Sequence, residues 1–234
     1  MEVKIGIAQI NKYAIAECGD SVEVAERPGG GISAIMADGQ GSGRSAKNTS
    51  RLVVNKAAAL IADGTRDGAV ARAVHDYLYT LKDGKVSATL TVLSVDLDTE
   101  TVVFSRNSNC PVIVKNQFAI ESYDEEISSI GVHKRMKPLI YQLPLEAGMI
   151  VVSYSDGIQA AGRKRGKSMN FDYLLRIIGD NNAIDATFIA ETILEYALEM
   201  DDYRPCDDMT VMVVGICDTE SMHNIRRMSV SFPC

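Results

Sequence analysis

Histidine and cysteine, on which many hydrolytic and zinc-dependent sites rely, are scarce or poorly placed in this sequence. Only three histidines occur, His75, His133 and His223, and none lies in a recognisable catalytic motif. A serine or cysteine nucleophile would need a base beside it, so a nucleophilic hydrolase is disfavoured. The five cysteines lack CxxC spacing and are widely scattered, namely Cys18, Cys110, Cys206, Cys217 and Cys234. That pattern argues against both a disulfide framework and a zinc site.

The chain also lacks a block of basic residues and a long apolar segment. Its net charge is −7, with 24 basic and 31 acidic side chains spread along the sequence, so no nucleic acid partner is expected. No window reaches the length needed to span a membrane, and the N-terminus does not have the pattern of a secretory signal. We therefore expect a cytoplasmic protein with no membrane partner.

The composition is that of an ordinary folded protein. Apolar residues make up 46% and charged residues 24% of the 234 residues, far from the composition of a disordered chain. A chain of this length can bury a substantial core. We predict one domain over residues 1–217 and a C-terminal tail over residues 218–234, where regular patterning fades.

Apolar patterns in the first third of the chain predict strands followed by helices. Val3–Ile10 and Tyr13–Cys18 are separated by a short polar pair, which favours a β-hairpin, and Gly31–Ala37 predicts a third strand. Arg44–Ala62 and Val70–Leu81 have helical spacing and composition, so two helices are expected there.

The rest of the chain returns to strands, with one further helix. β-branched runs predict an antiparallel meander and two later strands, over Val86–Leu97, Thr101–Ser105, Pro111–Lys115, Met149–Ser155 and Thr210–Cys217. Asp185 can cap a helix whose apolar stripe ends at Met200. Because the strands come in clusters, an α+β fold with an antiparallel β-sandwich fits better than a doubly wound parallel sheet.

Aspartates stand next to several of these strands, most of them beside a glycine or a second aspartate. The pairs are Asp38-Gly39, Asp156-Gly157 and Asp207-Asp208, and Asp20 is a further candidate. Carboxylates at strand ends have rigid supports, and their oxygen atoms suit Mg²⁺ or Mn²⁺ better than zinc. Any single pair is also common turn chemistry, so the interpretation depends on all of them together.

The order and spacing of these motifs resemble those of the PP2C-type, or PPM, serine/threonine protein phosphatases. Within them, the chain is most similar to the bacterial branch that includes SpoIIE, RsbU and RsbX. The resemblance runs from about Gly19 to Val214 and lies in four segments, Gly19-Asp20-Ser21, Ala37 to Gly43, Tyr154 to Ile158 and Asp207 to Val211. Each segment alone has low specificity, whereas the four in this order are specific.

The resemblance implies a β-sandwich with helices on both outer faces, in αββα layers, and a site for two metal ions, Mn²⁺ or Mg²⁺. Asp38 would bridge the two ions and the carbonyl of Gly39 would bind one of them. Asp156 and Asp207 would complete the shell of the second. The catalytic residues implied are therefore Asp38, Asp156 and Asp207.

Four further positions relate less directly to the family pattern. Asp20 stands where the family has an early acidic residue near the metals, and it is a further candidate ligand. Asp208 stands where many relatives have asparagine, which implies a role behind the ligands. Gln40 replaces the histidine of DGHG, and Asn107–Pro111 replaces Asn-Ala-Gly-His-Pro. Neither of these last two is a metal ligand by the resemblance, so activity is not excluded.

The function implied is hydrolysis of phosphoserine or phosphothreonine on a bacterial regulatory protein by a metal-activated water. A small regulator with a STAS domain is the class of phosphorylated protein substrate that the resemblance suggests. A two-metal site lowers the pKa of a bound water and neutralises charge on the phosphoryl oxygens. Such a site needs no serine or cysteine nucleophile.

Two other functions remain open. Gly39–Gly43 could cradle a nucleotide phosphate, although the lysine-serine ending of a P-loop is absent. The stronger alternative is a noncatalytic PP2C-fold module that binds a protein in a signalling pathway. Such a module would be expected to lose at least one aspartate, because a buried carboxylate without its metal is costly. All the matched aspartates are present here.

Overall fold

The structure is a computed structural model, in which residues 1–218 and 225–231 are described. Within these ranges the strands are β1 (Glu2–Ile10), β2 (Asp20–Glu26), β3 (Gly31–Asp38), β4 (Leu90–Asp96), β5 (Thr101–Asn107), β6 (Val112–Lys115), β7 (Ile120–Tyr123), β8 (Leu139–Pro144), β9 (Ile150–Tyr154) and β10 (Met209–Cys217). The α-helices are α1 (Gly43–Ala62), α2 (Asp67–Leu81), α3 (Asp156–Ala160), α4 (Phe171–Asp180) and α5 (Ala186–Met200). None of these helices is long and apolar enough to cross a membrane.

The strands form two antiparallel sheets that stack face to face. One sheet has the order β1-β10-β9-β6-β7 and the other has the order β2-β3-β4-β5-β8. Helices α4 and α5 pack against the outer face of the first sheet, and α1 and α2 against that of the second. This αββα arrangement confirms the predicted α+β class, an antiparallel β-sandwich with helices on both faces.

Apolar residues fill the space between the sheets and under each pair of helices. The inter-sheet layer includes Leu93 and Phe104 from one sheet and Val151 and Met212 from the other. Strand β10 is buried at every position, since a helix layer covers one of its faces and the second sheet covers the other. A strand covered on both faces has a nearly continuous apolar sequence, which explains why the run at its position was easy to predict.

The predicted N-terminal hairpin is wrong. Residues 11–19 contain turns and bends but no strand, and β1 pairs with β10, where Gly6 lies opposite Val213. The strand that pairs with β3 begins at Asp20, just beyond the apolar run Tyr13–Cys18. Local apolar content could not distinguish a neighbouring partner from one near the other end of the chain, because pairing is decided by long-range contacts.

The predicted meander is correct for only part of its length. Strands β4 and β5 do pair, but β5 continues to β8, while β6 lies in the other sheet beside β9. The turn around Asn107–Pro111 therefore carries the chain from one sheet to the other. Strands β2, β7 and β8 and helices α3 and α4 were not predicted. The edge strand β8 alternates half-buried and exposed residues, so it lacks a strong apolar signal.

The cysteines are consistent with a reduced protein. Cys18, Cys110 and Cys217 are buried free thiols, and Cys206 is a partly exposed one. Cys234 lies outside the described residues. Residues 225–231 have no regular secondary structure, although Arg226 forms a 2.6 Å ion pair with Glu26 on β2. The division into a domain over 1–217 and a tail over 218–234 stays a prediction.

Replacing Phe104 with alanine should test the inter-sheet core. Phe104 is fully buried, and its ring centroid lies 4.9 Å from that of Tyr123 and 5.0 Å from that of Tyr141. Phe104→Ala should lower the free energy of unfolding by about 3–5 kcal/mol, measured by urea denaturation. The matched control is Phe118→Ala, because Phe118 is 88% exposed. An equal effect of both substitutions would contradict this account of the core.

Candidate metal centre

Two of the predicted aspartates lie side by side at the end of one sheet. Asp20 begins β2 and Asp38 ends β3, and the two residues are direct partners in the antiparallel register. On its other side, Asp38 is fixed to the chain before β4, since its N–H donates to Thr89 Oγ1 (3.1 Å) and its carbonyl accepts from the Thr89 N–H (2.9 Å). The backbone that carries Asp38 is therefore held from both sides.

The other predicted aspartates come from two neighbouring strands of the second sheet. Asp156 is the first residue of α3, one residue beyond the end of β9, and Asp207 and Asp208 directly precede β10. Strands β9 and β10 are paired at this end, where Tyr154 lies opposite Val211. The structure thus brings all the predicted carboxylates to one end of the sandwich, with contributions from both sheets.

Two glycines allow the backbone segments around the site to approach closely. A Cβ atom at Gly39 would overlap the carbonyl of Ala46 in α1, and one at Gly157 would overlap the carbonyl of Asp208. Gly39 also forms an isolated β-bridge with Ala88. On one side of the bridge the Gln40 N–H donates to the Ser87 carbonyl, and on the other the Thr89 N–H donates to the Asp38 carbonyl. In such a bridge, the carbonyl of Gly39 points away from Ala88 and remains available as an oxygen ligand.

Asp20 lies deepest in the group. It is 1% exposed, and its Oδ2 accepts a 2.6 Å hydrogen bond from Thr210 Oγ1, which itself accepts from Gln9 Nε2. Burial raises the pKa of Asp20 to about 6, while hydrogen bonds from Thr210 and Ser155 act in the opposite direction. These hydroxyl groups orient Asp20. Both residues lie within the motif segments, but their role as donors was not predicted.

Asp38 and Asp156 are affected by their acidic neighbours. Burial, followed by repulsion from Asp20, Asp156, Asp207 and then Asp208, raises the pKa of Asp38 to about 8. Asp156 stands in a more exposed position, yet desolvation of its carboxylate and repulsion by Asp207 also raise its pKa. These effects show that the carboxylates are close enough to oppose one another's ionisation.

Asp208 holds the loop that precedes β2. Its Oδ1 accepts from the Lys12 N–H (2.9 Å) and its Oδ2 accepts from the Gly19 N–H (2.8 Å). Both oxygens are thus occupied by backbone donors, and the residue is 5% exposed. Asp207 is half-exposed, and its Oδ1 lies 3.9 Å from the ammonium group of Lys12. Of this pair, Asp207 has the freer carboxylate.

One basic residue near the site, in the basic segment over residues 163–168, was not among the predicted site residues. Arg163 begins a short 3₁₀ turn just after α3, and its charge lowers the pKa of Asp156 against the effects described above. Its proximity could have been inferred from the short distance along the sequence between it and Asp156. The composition of the segment alone indicated only exposure.

A polar cleft of about 590 Å³ opens beside Asp156. Its lining includes Asn109 from the turn after β5, Ser128 and His133 from the loop between β7 and β8, and Gln159 from α3. Gln40, which follows Gly39 in the chain, accepts a 2.9 Å hydrogen bond from the Ser87 N–H. The residues that depart from the family pattern therefore shape the surroundings of the carboxylates.

Cys110 lies behind the site but does not provide a nucleophile. It is 2% exposed, and burial together with the charges of Asp156, Asp38 and Asp20 raises its pKa to about 12. A thiol held in its protonated form is neither a good nucleophile nor a metal ligand. Oxygen atoms are therefore the donors that the site offers.

The carboxylates are neighbours but do not form a closed cage. Among residues 1–218 and 225–231, no group of three or more histidine, cysteine, aspartate or glutamate side chains converges tightly enough to hold a metal ion as placed. The donor chemistry and the excess of negative charge nevertheless fit a hard divalent cation.

Comparison with known sequences places the chain in a family. The sequence model of the family described as Stage II sporulation protein E, or SpoIIE, matches residues 28–216. The chain belongs to the SpoIIE family. Asp38, Asp156 and Asp207 lie within the matched range, and Asp20 precedes it.

A curated relative, Stage II sporulation protein E of Priestia megaterium, is 22% identical over 214 residues, which are 92% of this chain and 36% of the relative. The chain thus spans about a third of that relative's length.

Solved structures identify the fold as that of PP2C phosphatase domains. The PP2C phosphatase domain of SpoIIE from Bacillus subtilis, solved with a fragment of its regulatory domain, has a TM-score of 0.80 and 22% identity, over 92% of this chain and 64% of that chain. A serine/threonine phosphatase of S. agalactiae has a TM-score of 0.72 and 14% identity, over 92% and 100% of the two chains. RsbX in complex with magnesium has a TM-score of 0.70 and 16% identity, over 91% and 94%. At these identities the similarity shows the fold alone.

Asparagine at position 38 should stabilise the metal-free protein at high pH. Because the pKa of Asp38 is raised to about 8 in the folded state, its contribution to stability is present at low pH and is lost as pH rises through about 8. Asp38→Asn removes this loss. In EDTA, the Tm of the variant should exceed that of the wild type by more at pH 8 than at pH 5. Each kcal/mol of unfolding free energy that the wild type loses between these pH values corresponds to about 2–4 °C in Tm.

The control for this measurement is Asp98→Asn, at an exposed position after β4. Its Tm should follow that of the wild type at both pH values. A difference between Asp38→Asn and the wild type that does not change with pH would show that Asp38 is not held among repelling carboxylates.

Proposed function

We propose that this chain is a metal-dependent phosphatase that removes phosphate from serine or threonine of a bacterial regulatory protein. The observation that carries the proposal is the gathering of carboxylates at strand ends from both sheets, where burial and mutual repulsion raise the pKa of Asp38 to about 8. Such a concentration of negative charge is costly for a fold unless a cation offsets it.

Mg²⁺ and Mn²⁺ fit this donor set, because both prefer carboxylate and carbonyl oxygen. Asp38, the carbonyl of Gly39, Asp156 and Asp207 would hold the two ions, with Asp20 as a further candidate ligand. When bound, the ions would activate a water and neutralise charge on the phosphoryl oxygens.

The residues of this chain keep the site in place. Thr210 donates to Asp20 and so fixes its carboxylate at the base of the site. Asp208 accepts from two backbone N–H groups and thereby holds the loop before β2 beside the ligands. The polar cleft next to Asp156 would receive the phosphorylated side chain, with the amide and hydroxyl groups of Asn109 and Ser128 on its wall.

A noncatalytic binding module is the alternative function. It would share the fold but would not need ionised carboxylates at the strand ends. The retention of Asp38, Asp156 and Asp207 favours the enzyme, because each unbalanced carboxylate lowers the stability of a module that binds no metal.

The choice of substrate class is supported by resemblance and by one structural neighbour. The bacterial branch described above suggests a small regulator with a STAS domain. A neighbour from a study of the bacterial stressosome, a modular system adapted to control secondary messenger signalling, has a TM-score of 0.69 and 19% identity. We therefore extend the proposal to a phosphorylated protein of a signalling pathway.

Hydrolysis of p-nitrophenyl phosphate and of a phosphoserine peptide should depend on added Mn²⁺ or Mg²⁺. Asp38→Asn and Asp156→Asn should each lower turnover by about 100-fold or more, because each removes charge from the centre of the site. Asp98→Asn is the matched control and should retain wild-type turnover. Activity that persists in EDTA, or in both site variants, would overturn the metal-dependent mechanism.

Metal binding should weaken as the pH is lowered from 8 to 6. Protons compete with cations for Asp38, whose pKa is raised to about 8, so fewer ionised oxygens are available at the lower pH. The apparent Mn²⁺ affinity, measured by isothermal titration calorimetry, should fall by up to about 10-fold for each pH unit. No Mn²⁺ binding by folded wild-type protein at pH 8 would favour the noncatalytic module.

A further inference from the structure

Exposed basic side chains crowd one short segment of the loop between β7 and β8. His133, Lys134, Arg135 and Lys137 are all exposed, and within the described part of the chain none of them forms an ion pair. We call these four residues the basic rim. The chain as a whole has a net charge of −7. It follows that the rim has positive charge available for a partner.

The basic rim lies next to the candidate metal centre. Ile130 forms a β-bridge with Ala88, which in turn bridges Gly39. Because bridged backbones lie about 4.8 Å apart, Ile130 is about 10 Å from Gly39. His133 also lines the cleft that contains Asp156. The rim therefore forms an edge of the cleft into which a phosphorylated side chain would enter.

Buried residues anchor the chain on both sides of the rim. Ile130 is fully buried, and Met136 packs against the same apolar cluster under α1 and α2. The N–H of Gly131 donates to Nδ1 of the buried His75 (3.1 Å). Between these anchors, residues 132–135 are exposed. The rim thus has a fixed place relative to the site and is not a loose charged tip.

The opposite end of the same loop is acidic. Asp124 and Glu126 lie there, and Glu126 lines the cleft together with His133. Glu125 between them is tied to the buried Arg106, whose Nη2 donates to the Glu125 carbonyl (2.6 Å). The cleft therefore runs between an acidic end and the basic rim, which gives a bound polypeptide a preferred direction.

We propose that the basic rim is a docking surface for an acidic segment of the phosphoprotein substrate. The proposal rests on the function proposed above and names the sequence that the site prefers, a phosphorylated serine or threonine flanked by aspartate or glutamate. Opposite charges attract the segment to the rim, and its phosphorylated residue then enters the cleft beside Asp156. Like charge at Asp124 and Glu126 disfavours the reversed orientation.

The test uses the charge-reversal variant Lys134→Glu/Arg135→Glu. Its matched control is Arg66→Glu/Arg72→Glu, which makes the same charge change at exposed positions on and beside the first half of α2. The first turn of α2 lies beside the ion pairs that Arg27 forms with Asp67 and Asp96. Asp96 pairs with Gly31 at the start of β3, whereas Asp38 ends that strand, so this position is about 20 Å from Asp38. Both variants should keep wild-type Tm and wild-type turnover of p-nitrophenyl phosphate.

Binding is measured first, with whichever of two fluorescent unphosphorylated peptides binds the wild type more tightly, one with three aspartates before a serine and the other with three after it. At low ionic strength the rim variant should bind it at least 5-fold more weakly than the wild type, and the control should stay within 2-fold. This measurement does not depend on turnover. Equal affinity in all three proteins, or an equal loss in both variants, would overturn the proposal.

Turnover is measured second, with phosphoserine peptides that have aspartate or asparagine flanks. The wild type and the control should prefer the acidic peptide by at least 10-fold in kcat/KM, and the rim variant should lose this preference. A preference retained by the rim variant would overturn the proposal. If no protein hydrolyses any substrate, the proposed function fails, while the binding comparison still decides whether the rim docks acidic segments.

Discussion

Repulsion between carboxylates that rigid strand ends hold together is the interaction on which the rest of this structure depends. Asp20 and Asp38 are cross-strand partners, so neither can move away from the other without breaking the β2–β3 ladder. Burial of apolar side chains between the sheets and under the helices offsets the free-energy cost of keeping the two carboxylates together. A fold with less buried apolar surface would relax by separating these strand ends, and the site would be lost.

The same constraint explains the polar groups that surround the site. The hydroxyl of Thr210 and two backbone N–H groups donate to Asp20 and Asp208, which lowers the cost of burying them. Asp38 has a higher pKa than Asp20, and no side-chain hydrogen bond lowers it. The carboxylates thus differ in how completely the protein itself satisfies them. Those left unsatisfied are the ones best suited to an external cation.

The sequence allowed prediction of features that depend on local order. Asp38-Gly39 and Asp156-Gly157 were found because each aspartate follows an apolar run, and the three long helices α1, α2 and α5 were found because their residues have helical spacing. The pairing of β1 with β10 was not predictable, since nothing local distinguishes a distant partner from a neighbouring one. The same reason applies to the bonds of Asp208 to Lys12 and Gly19, and to the position of the basic rim beside Gly39. The roles of the individual aspartates as ligands stay predictions.

The bond from Thr210 to Asp20 joins residues 190 positions apart in the chain. Strand β10, which carries Thr210, also lies between β1 and β9 in its sheet, so those two strands have no common neighbour until β10 is in place. A nascent polypeptide that still has this strand inside the ribosome therefore cannot assemble the carboxylate cluster, however well its helices and second sheet have folded. A chain that ends before β10 lacks Thr210, the donor to Asp20, and leaves β1 and β9 without the strand that joins them.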